Sequence, residues 1–78
     1  MLIKFTKHAL EPMRIRSITK DEVIDAITNP DKEANDFFGN IIANKVKKKY
    51  LLRVFYHNEE GSKVVITAYK TSKFDKYS

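Results

Sequence analysis

The chain has 78 residues, enough for one hydrophobic core and no second domain, so residues 1–78 are expected to form a single unit. Its 15 Lys plus Arg against 10 Asp plus Glu leave a formal net charge of +5, an excess that favours polyanionic partners. The absence of cysteine excludes disulfides and thiolate nucleophiles or metal ligands. No apolar run approaches the ~18 residues of a membrane-spanning helix, and no signal-peptide pattern opens the chain, so the cytoplasm is the expected compartment and a membrane partner is not.

Leu2 to Phe5 reads as a short strand, followed by Thr6 as a helix N-cap. Lys7 to Arg16 has helical spacing that would turn Ala9, Leu10 and Met13 inward, although Pro12 demands a kink or a start near that residue. Ile18-Thr19-Lys20-Asp21-Glu22-Val23 is a capping box with a hydrophobic staple. It opens a second helix with Val23, Ala26 and Ile27 on its apolar face, which Asn29-Pro30 stops.

Beyond Pro30 the periodicity becomes strand-like. Turns are expected at Gly39-Asn40, Lys47 to Lys49 and Asn58 to Ser62, cutting the rest into about four strands. A five-residue loop between Tyr50–His57 and Lys63–Lys70 would make an antiparallel hairpin. With His57 opposite Lys63, its core face would carry Leu52, Val54 and Tyr56 with Val64, Ile66 and Ala68, and its other face Leu51, Arg53 and Phe55 with Val65, Thr67 and Tyr69. The tail from Thr71 offers Phe74 and Tyr77 as anchors.

Only His8 and His57 are present, and the acidic residues are scattered, so neither a metal nor any other cofactor is expected. Two glycines cannot build a phosphate loop. Cations, hydroxyls and an imidazole remain, and metal-free RNA cleavage needs little more: a base for the 2′-hydroxyl, cations for the phosphate and an acid for the leaving oxygen. His8 is the candidate acid or base, Arg16 and Arg53 can grip phosphate bidentately, Lys45 and Lys70 act as point charges, and Tyr69 can stack a base or shuttle a proton. Plainer roles compete: His8 as a polar first-turn residue, Arg16 as a helix cap, and Lys45 to Lys49 as a solvated turn that attracts phosphate without specificity.

Phe5-Thr6-Lys7-His8-Ala9, then Met13, Arg16, Ile18, Thr19 and Asn29-Pro30, then Val65 to Lys73 and Tyr77, resemble a small prokaryotic domain-of-unknown-function family that is similar to BrnT-type toxins and, more remotely, to RelE-type ribonucleases. The resemblance implies an α+β fold, with two N-terminal helices packed on one face of a mainly antiparallel sheet of about four to five strands. It also implies a toxin that cleaves messenger RNA and is neutralised by an antitoxin protein. His8, Arg16, Arg53 and Tyr69 become the expected catalytic set, with Arg14, Lys45, Lys70 and Lys73 binding RNA. Two departures stand out: Pro12 where the family usually has arginine, with Arg14 as a neighbouring substitute, and Ser17 where it usually has glycine. The alternatives are a noncatalytic RNA-binding module, which Pro12 favours, and a protein that docks a partner chain.

Overall fold

The computed structural model describes residues 2–73, and the anchors expected at Phe74 and Tyr77 lie outside them. The chain runs β1 (Leu2–Phe5), α1 (Lys7–Ile15), α2 (Lys20–Thr28), β2 (Lys32–Asn35), β3 (Ile41–Val46), β4 (Leu51–Glu59) and β5 (Ser62–Thr71). The strands form one sheet in the order β1-β5-β4-β3-β2, in which β1 lies parallel to β5 and the other neighbours are antiparallel. This is the helix-then-sheet α+β arrangement the sequence implies.

Thr6 begins α1 by accepting from the Ala9 amide at 3.1 Å, while its own hydroxyl donates to the Val65 carbonyl at 3.0 Å, so a single side chain caps the helix and ties it to β5. Pro12 sits inside α1, where it has no N–H to return to the His8 carbonyl. Leu10 is 37% exposed, and the helix instead buries Ala9 and Met13. α1 closes with Ile18 donating to the Met13 carbonyl at 2.8 Å and Ser17 to the Arg14 carbonyl at 3.2 Å, the hydrogen-bond pair of a Schellman motif. Ser17 takes the left-handed conformation this requires (φ 57°) without being glycine. The capping box forms as read: Thr19 Oγ1 accepts from the Glu22 amide, and Glu22 accepts from the Thr19 amide. Ile18 and Val23 are both buried beside it.

The core lies between the helices and one sheet face, where Ala9, Met13, Ile18, Val23, Ala26 and Ile27 meet Ala43, Leu52, Val54, Tyr56, Val65 and Ala68. Two expectations for the hairpin are corrected. The β4–β5 connection is a tight turn with Glu59 opposite Ser62, in which Glu60 (φ 49°) and Gly61 (φ 81°) both take the left-handed conformation that two-residue hairpins require. The register also shifts between Phe55, which pairs with Thr67, and Tyr56, which pairs with Val65. Ile66 is therefore the extra residue of a bulge, so Val65 and Ala68 both face the helices, in place of Val64, Ile66 and Ala68.

Holding an L-residue in the left-handed region costs about 1–2 kcal/mol. Ser17→Gly is therefore expected to stabilise the chain by about 1 kcal/mol, raising the melting temperature by roughly 4–8 °C for a domain of this size. Thermal unfolding followed by circular dichroism measures this, and an unchanged or lower midpoint contradicts it.

Candidate functional site

Alternation along β4 places Leu51, Arg53 and Phe55 on the sheet face away from the helices. Arg53 stands opposite Asn44 of β3 and Tyr69 of β5 on that face. Its Nε donates to Asn44 Oδ1 at 2.9 Å and its Nη1 donates to the Tyr69 hydroxyl at 2.7 Å. The guanidinium carbon lies 5.6 Å from the ring centres of both Phe55 and Tyr69, which stack on each other at 6.0 Å. Arg53 is only 8% exposed, and Phe55 and Tyr69 are partly exposed. Two hydrogen bonds and two rings thus fix the guanidinium plane, and the guanidinium in turn fixes the phenol.

A second group forms at one end of the sheet, where the end of α1, the turn before β4 and the far end of β5 meet. Arg16 Nη1 donates to the Ala68 carbonyl at 3.0 Å. Lys70 Nζ donates to the Ser17 carbonyl at 3.4 Å and lies 4.7 Å above the Tyr50 ring. The Tyr50 hydroxyl donates to Glu22 Oε2 at 2.7 Å. Around these contacts Arg14, Arg16, Lys48, Lys49 and Lys73 are exposed, while Lys47, half-buried, pairs with Asp25 at 3.6 Å. The opposite end of the sheet carries the two tight turns that hold Asp36, Glu59 and Glu60. The sheet thereby separates a basic end from a more acidic one.

The hydrogen bond from Tyr50 holds the Glu22 carboxyl below its ordinary value against the opposing effect of burial, with Thr19 and Lys70 adding to the depression. Tyr50 is correspondingly pushed up, first by its bond to Glu22 and then by burial. Tyr56, in the core, is raised to about 12 by burial and by its hydrogen bond to Glu33.

The expected residues divide between these places. Arg53 and Tyr69 are brought together on the helix-free face, and Arg16, Lys70 and Lys73 gather at the basic end. Arg14 is there too, paired with Glu11 at 2.7 Å on an exposed surface. Lys45 has a structural contact, its Nζ donating to the Asn29 carbonyl at 2.7 Å just beyond α2. His8 is exposed in the first turn of α1 and has no hydrogen bond or ion pair among the described residues. Arg16 lies eight positions further along the chain, about 12 Å along a helix axis. It also belongs to the helix layer, on the other side of the sheet from Arg53 and Tyr69. Among the described residues no cluster of three His, Asp or Glu groups surrounds a point where a metal ion would fit.

Sequence reading passes over Asn44 and Tyr50. Asn44 has a signal, being a polar residue inside the strand-like run Ile41-Ile42-Ala43-Asn44, and at 3% exposure it needs the partner that Arg53 supplies. Tyr50 has none, because its partners Glu22 and Lys70 are distant in the chain.

A family model described as Domain of unknown function (DUF4258) matches residues 5–70. The chain belongs to the DUF4258 family. No curated protein and no solved structure matches it. The DUF4258 region runs from the last residue of β1 almost to the end of β5, so it contains Asn44, Arg53, Tyr69, Arg16 and Lys70 and stops short of Lys73.

The Tyr50–Glu22 bond gives a pH-dependent test. A depressed carboxyl stabilises the fold above its unfolded-state value and loses that contribution as pH falls through the lower folded value. Tyr50→Phe is expected to cost about 1 kcal/mol at neutral pH, with the gap to the parent chain closing as pH drops below Glu22's ordinary 4.5. Urea unfolding at several pH values reads this out, and a gap that stays constant or widens in acid contradicts it.

Proposed function

We propose that this protein acts on RNA, gripping the phosphate backbone with its basic end. The observation that carries this reading is the gathering of Arg14, Arg16, Lys48, Lys49, Lys70 and Lys73, from separate stretches of chain, at one end of the sheet in a molecule of net charge +5. The cations outnumber Glu11, Glu22 and Asp25 beside them, and a pole of net positive charge attracts and orients a polyanion.

The fuller form of the proposal is a metal-independent endoribonuclease of the BrnT or RelE toxin kind, held in check by an antitoxin protein. The Arg53–Tyr69 pair supports it. Arg53 orients a phenol on the helix-free face, and a positioned hydroxyl next to a guanidinium is what the reaction requires as the 2′-oxygen, its proton passing to solvent water, displaces the 5′-oxygen: the phenol protonates the departing 5′-oxygen and the guanidinium stabilises the crowded phosphate. In this form Arg16 and Lys70 hold flanking phosphates, and His8 contacts a more distant nucleotide. A second reading, a noncatalytic RNA-binding module, is favoured by the distance of about 12 Å along the helix between His8 and Arg16 and by the sheet that lies between His8 and the Arg53–Tyr69 pair.

Fluorescence anisotropy with labelled single-stranded RNA, in excess chelator, tests the binding. Affinity is expected to fall with rising salt at a slope of about −0.7 per phosphate contact in a plot of log K against log salt. Lys48→Glu combined with Lys49→Glu should shallow that slope while leaving the melting temperature unchanged. Affinity that ignores salt sinks the proposal. Messenger RNA incubated in the same chelator separates the two forms. The ribonuclease gives discrete cuts that Tyr69→Phe reduces by about 10²-fold or more with binding retained, whereas intact RNA leaves the binding module.

A further inference from the structure

The turn between β2 and β3 carries the two most exposed large apolar side chains among the described residues, Phe37 at 103% and Phe38 at 87% exposure. The turn is firmly built: Asp36 Oδ1 accepts from the Phe38 and Asn40 amides at 2.8 Å each, and Asp36 Oδ2 accepts from Asn40 Nδ2 at 2.8 Å. Its rings are thus presented on a fixed support in water. Beside it β2 forms one edge of the sheet. Asp36 donates its amide to the Asn40 carbonyl at 3.1 Å. Alternation then turns the backbone groups of Lys32 and Ala34 toward β3 and those of Glu33 and Asn35 outward.

We propose that two copies of this chain pair antiparallel through β2, about a two-fold axis passing between their Ala34 residues, to form a dimer with one continuous sheet. This pairing is independent of the RNA reading. The sequence of the edge is self-complementary in that register. Glu33 of each copy exchanges backbone hydrogen bonds with Asn35 of the second copy, small Ala34 faces its own counterpart on the axis, and Lys32 stands opposite Asp36 of the second copy, so that both charge pairs are of opposite sign. Of the two neighbouring registers, the one centred on Glu33 sets Glu33 against Glu33 of the second copy and juxtaposes like charges, and the one centred on Asn35 sets Lys32 against Phe38 and gives up both ion pairs.

The same register covers the aromatic turn. In that register Phe37 and Phe38 stand opposite Asp31 and Pro30 of the second copy, just beyond the end of its α2. Four phenylalanines at about 150–250 Å² each hold roughly 600–1,000 Å² of apolar surface. With two strand edges added, the contact reaches the ~1,200 Å² at which specific interfaces begin.

The absence of native cysteine makes the register directly testable. Facing residues of a non-hydrogen-bonded antiparallel pair have Cα atoms about 4.5 Å apart, inside the ~4.4–6.8 Å range that a disulfide spans. Ala34→Cys is therefore expected to cross-link into a covalent dimer under mild oxidation, far faster than Glu60→Cys on the exposed turn at the end of β4. Sedimentation equilibrium of the unmodified chain should give twice its 9.1 kDa. Phe37→Ser with Phe38→Ser should raise the dissociation constant by on the order of a hundredfold without altering the circular dichroism. A monomer at every concentration, or cross-linking of the Ala34→Cys variant no faster than that of the Glu60→Cys control, overturns the proposal. A dimer that persists undiminished in the double Phe variant removes the aromatic turn from the interface and overturns it in this form.

Discussion

The β-bulge at Ile66 is the constraint on which the rest of the structure depends. Were the ladder of β4 and β5 to continue unbroken from the hairpin turn, Arg53 would stand opposite Ala68 and Val54 opposite Thr67, leaving a hydroxyl against the helices. One extra residue moves Ala68 inward beneath α1 and brings Tyr69 level with Arg53. It likewise sets how far β5 extends beyond the core, and hence where Lys70 meets Ser17 and Tyr50. Core packing and candidate chemistry are fixed by the same local irregularity, a common use of bulges near functional surfaces.

Cations in this molecule do two kinds of work. Arg16, Lys45 and Lys70 each satisfy a backbone carbonyl at a helix end or on β5, and Lys47 pairs with Asp25, so these side chains help hold the helices against the sheet. A guanidinium has more donors than one carbonyl can use, and an ammonium has three, so a structural bond leaves capacity for phosphate. Lys48, Lys49 and Lys73 are exposed on the same end, where they add field without a packing role. Fixing the inner cations while leaving the outer ones solvated gives a charged surface of defined shape.

Much of this fold is legible locally. The capping box at Thr19 and Glu22, the Thr6 cap, the stop at Asn29-Pro30 and the turns at Gly39-Asn40 and Lys47 to Lys49 each depend on residues within a few places of one another, and each is found where the sequence puts it, while the turn expected over Asn58 to Ser62 shrinks to Glu60-Gly61. Ser17 shows a limit of that kind of reading: a left-handed residue is needed there, and the neighbouring Met13–Ile18 contact enforces it on a serine. The bulge leaves no such trace, because Val64, Val65 and Ile66 are all apolar and β-branched, so any of them suits a core-facing position. The candidate site is legible as a set of residue types and not as a constellation. The register with His57 opposite Lys63 sets Arg53 and Tyr69 on one face, but it is the bulge at Ile66 that puts them there, and whether His8 joins them depends on which side of the sheet α1 covers, a property of the whole topology.

The molecule is polarised along its strands, basic where α1, the turn at Lys47 to Tyr50 and β5 meet, and more acidic where the two tight turns lie. Amide chemical-shift mapping during titration with a short single-stranded RNA tests whether this polarity serves RNA binding most directly. Shifts concentrated at Arg14, Arg16, Lys48, Lys49, Lys70 and Lys73 and on the neighbouring helix-free face around Tyr69, with residues 36–40 and 59–62 silent, are the expected pattern. Perturbations centred on those two turns, or spread evenly over both ends, would contradict it.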